Sequence, residues 1–116
     1  MLNLVNIFKA LSDETRIRIV KVLMERECCV CEIVQALDIS GTRASRNLGI
    51  LKDAGFIRAR RDGLCVLYSI NEQNVNSNIV SLIQMIRSSL VSDNTILQDR
   101  ERLNYAERII PSEVNR

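Results

Sequence analysis

Three of the four cysteines fall within four positions, at Cys28, Cys29 and Cys31, and the fourth is Cys65. Soft thiolate ligands select soft, thiophilic ions, and the thiolate is the form that ligates and reacts. The chain has no histidine, which removes the imidazole ligands and the commonest general base together. Structural zinc prefers four Cys or His ligands at wider spacing, so a zinc site fits this set poorly. The spacing itself carries geometry. In a regular helix residues two apart diverge by about 200°, so Cys29 and Cys31 converge on one ion only if the helix start between them is unwound. Cys28 stands three residues before Cys31 and can share its face, which makes it the expected third ligand. Cys65 is the alternative. Oxidation of clustered thiols to a disulfide or persulfide is a second chemistry open to them. The plainer reading is that cysteines are small, commonly buried residues that fill space under a helix.

A second set of residues lies just downstream. From Ile39 to Arg61 there are six cations (Arg43, Arg46, Lys52, Arg58, Arg60, Arg61) against one anion, Asp53, in a chain whose net charge is only +2. That asymmetry points to a polyanion on one face. Thr42, Arg43, Ser45, Arg46 and Asn47 fall between or beside the apolar positions Ala44, Leu48 and Leu51, so they should flank or face away from the core and reach base edges in a DNA groove. Arg60 and Arg61 should reach phosphates. No nucleophile has a visible base and no Gly-rich phosphate loop occurs, so enzymatic chemistry is not indicated.

The elements that must position these residues read as mainly α with a small β hairpin. Leu4, Ile7, Phe8 and Leu11 mark a first amphipathic helix over Leu2 to Leu11. Ser12 is the expected N-cap of a second, striped with Ile17, Val20, Leu23 and Met24 and ending near Glu25 or Arg26. A third runs from about Val30 to Leu37, with Ile33, Val34 and Leu37 inward. Asp38, Ile39 and Ser40 form a turn, and a fourth helix runs from there to Ala54, stopped by Gly55. Two helices joined by about three residues, the second with a basic polar face, make a helix-turn-helix. Asp62-Gly63 between Phe56–Arg61 and Leu64–Ile70 is a strong hairpin signal. On the second strand Val66, Tyr68 and Ile70 share a side, and Cys65, of opposite parity, should point away from the core. Helix-turn-helix plus hairpin gives a winged helix.

Val75, Ile79, Leu82, Ile83, Ile86 and Leu90 predict a fifth helix of roughly five turns. A sixth, capped by Ser92 or Asp93, carries Ile96, Leu97, Leu103 and Ile109 and ends near Pro111. The stripe from Val75 to Ile86 is expected in or beside a two-fold interface, making a homodimer from the first helix and the last two. The chain reads as one domain over 1–116. With 47% apolar and 26% charged residues and no apolar run of membrane-span length, it is expected in the cytoplasm with its thiols reduced.

The segments FKALSDETRIRIVKVL, ECCVCEIVQAL, SGTRASRNLGILKDAGFI and RRDGLCVLYSI resemble, in order and spacing, the ArsR/SmtB family of metal-responsive winged-helix repressors. The resemblance covers about Ile7 to Ile70. Within that family Cys-Val-Cys followed by an acidic residue, here Cys29 to Glu32, marks the arsenite-responsive branch. Val34 stands where that branch often carries a third cysteine, and Gly41 and Asn47 stand where the family often has Gln and His. The resemblance implies a dimeric repressor of double-stranded operator DNA, released when arsenite or antimonite binds Cys29 and Cys31, with Cys28 expected from its spacing as the third ligand.

Overall fold

The computed structural model describes residues 1–109, so Pro111 lies outside the described residues. Six helices and one hairpin follow in the order α1 (Leu2–Leu11), α2 (Glu14–Glu25), α3 (Val30–Leu37), α4 (Gly41–Ala54), β1 (Ile57–Asp62), β2 (Cys65–Ile70), α5 (Ser77–Arg87) and α6 (Asn94–Tyr105). This is the winged helix-turn-helix expected from the sequence.

The local signals act as short-range chemistry predicts. Ser40 Oγ accepts from the Arg43 backbone N–H at 3.1 Å and starts α4. Gly55 ends α4 at φ +96°, and a Cβ there would meet Asn74 Nδ2 at 2.7 Å, so only glycine fits. Phe56, next in line, turns back into the core and is fully buried among Ile19, Ile33, Leu48 and Leu51. Gly63, at φ +62°, closes the hairpin, whose antiparallel register runs from Ile57↔Ile70 to Asp62↔Cys65.

Three expectations shift. The N-cap of α2 is Asp13, whose carboxylate accepts from Arg16 N at 3.1 Å; Ser12 instead closes α1, donating its hydroxyl to Phe8 O at 2.8 Å. Of the α1 stripe only Ile7 is buried and Leu11 half-buried, while Leu4 and Phe8 are exposed beside Leu2 and Val5.

The fifth helix has three turns, not five. Asn76 caps it through Asn78 N at 2.9 Å, leaving Val75 outside and fully exposed. At its other end the buried Lys21 Nζ donates to the carbonyls of Ile86 (3.1 Å), Arg87 (3.3 Å) and Ser89 (2.7 Å), and Leu90 turns left-handed. Ile79, Ile83 and Ile86 are buried within their own chain, Leu82 is partly buried, and Val75, Met85 and Leu90 are exposed.

Helix α6 is capped by Asp93 and ends at Tyr105, short of Pro111; Ile96 and Leu103 are buried and Leu97 is exposed on it, and Ile109 lies beyond its end. Buried Asp99 holds Arg18 at 2.8 and 2.9 Å and Arg102 at 2.8 Å. Those two arginines also donate to the carbonyls of Leu37 (2.9 Å) and Ala36 (2.8 Å), the open C-terminal end of α3. The last helix is thereby docked onto the first helix of the helix-turn-helix.

Candidate thiol site and nucleic-acid face

Thr42, Arg43, Ser45 and Arg46 stand exposed on the first two turns of α4, as expected. Arg43 is steadied where it leaves the helix, donating Nη2 to Thr15 Oγ1 at 2.6 Å. Arg46 and Arg61 make no ion pair or side-chain hydrogen bond among the described residues, so their charges are free for a phosphate or a base. Arg60 is not: it forks onto the Glu27 carboxylate at 2.9 and 2.6 Å. Arg58, not singled out from the sequence, is exposed beside Arg60 and Ser69 along a cleft that Glu27 also lines. The i, i+2 spacing of Arg58 and Arg60 was the available signal, since alternate strand residues share a face.

Asn47 departs from expectation. It is only 3% exposed. Its Oδ1 accepts from Arg16 Nη1 at 2.8 Å, and its Nδ2 donates to Arg43 O at 2.9 Å. Arg16 in turn donates Nε to Ala10 O at 2.6 Å and Nη2 to Lys9 O at 3.2 Å, so Asn47 ties α4 to the end of α1. The spacing Ala44, Asn47, Leu48, Leu51 is the inward i, i+3, i+4, i+7 row of a helix, and Asn47 occupies its polar place.

The thiol end is assembled around the start of α3. Cys29 is the N-cap, extended at φ −85°, ψ 170°, and Cys31 lies in the first turn of α3. Glu32 reaches back so that its Oε1 accepts from Cys29 N at 3.0 Å. Burial, aided by the neighbouring Cys31 thiol, pushes the Cys29 thiol up to about 12. Burial works to raise the Glu32 carboxyl too, but the Cys29 N–H and the paired Arg26 guanidinium outweigh it and hold Glu32 below the usual carboxylate range.

Cys28 lies on the other side. Its backbone joins β2 in an antiparallel bridge, Cys28 N to Tyr68 O at 3.0 Å and Tyr68 N to Cys28 O at 2.7 Å. Bridged residues share a face and successive residues alternate, so Cys28 goes with Tyr68, and Cys29 with Leu67 and Cys65. Cys28 is wholly buried, donates its thiol to Arg26 O at 3.4 Å, and is pushed up to about 12 by burial. Cys65 does have the parity opposite to Val66 and Tyr68. Its face is nevertheless covered by the start of α3, which leaves Cys65 9% exposed rather than pointing into solvent.

Cys29, Cys31 and Cys65 line one open cleft of about 260 Å³, walled by Val30, Leu64, Val66 and Ile109. The chain beyond α6 roofs it. Ile109 N donates to Cys31 Sγ at 3.3 Å, Gln35 exchanges two hydrogen bonds with the Glu107 backbone, and Arg108 reaches both Glu32 (3.6 Å) and Asp62 (3.7 Å). Among the described residues no three Cys, His, Asp or Glu side chains are close enough to hold one metal ion as they stand. The three thiols on the cleft have to be drawn together by whatever they bind.

A family model described as "Bacterial regulatory protein, arsR family" matches residues 13–59. The chain is 39% identical over 75 residues to a "Cadmium resistance transcriptional regulatory protein CadC homolog" of Staphylococcus aureus, covering 64% of this chain and 62% of that one. It is 41% identical over 68 residues to the "Arsenical resistance operon repressor" of Escherichia coli K12, covering 58% of each. The chain thus spans about three fifths of the length of these two relatives. The solution structure of the homodimeric winged helix-turn-helix DNA-binding domain of Mb0332 from Mycobacterium bovis, a possible ArsR-family regulator, superposes at a TM-score of 0.63 with 29% identity, covering 73% of this chain and 75% of that one.

Proposed function

The chain belongs to the arsR family of bacterial regulatory proteins, DNA-binding regulators rather than enzymes, and from that premise we propose that it is a homodimeric repressor released from operator DNA by trivalent arsenic or antimony. The observation that carries this reading is that Cys29, the N-cap of the helix that precedes the basic helix, and Cys31, in that helix's first turn, open onto one cleft. Thr42, Arg43, Ser45 and Arg46 read the major groove, and Arg61 with Arg58 and Arg60 reaches phosphates. The exposed apolar row Leu2, Leu4, Val5 and Phe8 of α1 supports a two-fold contact. The homodimer named for the M. bovis structure supports it too. The whole chain then serves as one DNA-binding domain with its terminal helices pairing, working where the DNA is. No helix of the described residues is long and apolar enough to cross a membrane.

The relatives are named for resistance to cadmium or to arsenicals, and proton balance separates the two as inducers. A dication needs thiolates, so binding must strip a proton from the Cys29 thiol, which burial keeps protonated. Arsenous acid exchanges each S–H and As–OH for an As–S bond and a water, with no proton released. Buried thiols therefore favour the oxyacid. They also slow attack on oxidants, which weighs against a redox or persulfide sensor.

The test is operator binding with and without arsenite and Cd²⁺, at two pH values on either side of neutrality. Arsenite should lower wild-type affinity about 5- to 150-fold at both. Any Cd²⁺ effect should strengthen with pH. Cys29→Ser should bind operator normally and ignore arsenite. Equal induction of wild type and Cys29→Ser would end the thiol reading.

A further inference from the structure

Cys29 and Cys31 supply two sulfurs, whereas a trihydroxide of arsenic has three bonds to exchange. Resting on the reading above, we propose that Cys65 supplies the third, so that the bound arsenic joins α3 to the wing.

The bridge between Cys28 and Tyr68 sets the register in which the connector passes β2. Continued one residue, it carries Cys29 alongside Leu67 on the sheet face that Cys65 shares; continued three, it brings the start of α3 towards Cys65. Cys28 is on the opposite face, its backbone fixed by both bridge hydrogen bonds and its thiol donated to Arg26 O. It takes no part in the lining of the cleft onto which Cys29, Cys31 and Cys65 all open. Recruiting Cys28 would mean breaking the bridge. Recruiting Cys65 means only shutting the cleft.

Cys65 is also well placed to move. It forms the last rung of the hairpin, Asp62↔Cys65, next to exposed Leu64 and a Gly63 with open space around it. Since the three sulfurs are not yet within one ion's reach, ligation pulls the outer end of the wing onto α3. The chemistry balances without an oxidant: three As–OH and three S–H bonds become three As–S bonds and three waters.

The test uses the reduced full chain with two probes: arsenite, which takes three thiols, and phenylarsine oxide, which takes two. Arsenic-edge X-ray absorption should count three As–S bonds in wild type and in Cys28→Ser. In Cys65→Ser and Cys65→Ala it should count two, with one As–O. Losing the third attachment should weaken arsenite binding about 100-fold or more, with phenylarsine oxide binding unchanged. Three As–S bonds in Cys65→Ser, two in Cys28→Ser, or loss of phenylarsine oxide binding in Cys65→Ser would each overturn the proposal. If Cys29→Ser and Cys31→Ser lose arsenite while Cys65→Ser keeps three sulfurs, the inducer reading stands and only the wing ligand falls. If Cys29→Ser also keeps three, both fall.

Discussion

The two helices of the helix-turn-helix begin in different ways. Helix α4 starts on Ser40, a hydroxyl cap that reaches its own third residue and involves nothing else. Helix α3 starts on Cys29, whose weakly accepting sulfur leaves the end to be held by Glu32 from inside the helix and by Arg26 and Arg108 from outside it. One start is local and finished; the other is shared among the connector, α3, the wing and the segment after α6. A helix start held by distant groups is one that a ligand can rebuild without unfolding the helix.

The contrast can be broken most directly at Glu32. Glu32→Gln should cost about 2–3 kcal/mol in urea denaturation, because a charge-assisted cap and the Arg26 pairing go together. Its folded carboxyl lies below the usual range, so its stabilisation is present at neutral pH and is lost as pH falls through that lowered value. Wild type and Glu32→Gln should therefore converge in acid. A constant difference would place the effect in packing instead.

Next in size is Arg46→Ala, expected to cost about 1–3 kcal/mol of operator binding and to relax specificity while arsenite coupling is retained. Asn47→Leu should do the reverse. It strips Arg16 of a buried partner and lowers thermal stability by about 1–3 kcal/mol, with DNA affinity falling alike on all sequences. A base-specific defect in Asn47→Leu would restore it to the reading face. Smallest is Ser40→Ala, about 1 kcal/mol of stability, the ordinary worth of a hydroxyl cap.

Much of this was legible because it depends on neighbours in sequence. Ser40, Gly55, Phe56 and Asp62-Gly63 each fix a boundary through contacts within a few residues, and the winged fold follows from their order. The thiol site was legible only in part. That Cys29 and Cys31 need an unwound helix start follows from helix geometry. That Cys28 turns away while Cys65 turns in depends on a single bridge to Tyr68, forty residues distant, which no local pattern encodes. Asn47 is hidden for a different reason: it sits on the inward row with Ala44, Leu48 and Leu51, and its polarity is met there by Arg16, far off in sequence. Val75 and Leu90 extended a stripe past caps that Asn76 and Lys21 impose.

The pairing of Arg60 with Glu27 bears on how the wing meets salt. A cation that neutralises a phosphate ordinarily frees a condensed counterion, and that release sets how steeply affinity falls with ionic strength. Arg60 comes to the duplex already carrying an anion of its own. Trading Glu27 for a phosphate unmasks a carboxylate beside the backbone, which holds back some of the ions the exchange would set free. The wing should therefore contribute fewer effective charges to the salt slope than its arginines number. Glu27→Gln should steepen that slope and tighten non-specific binding together.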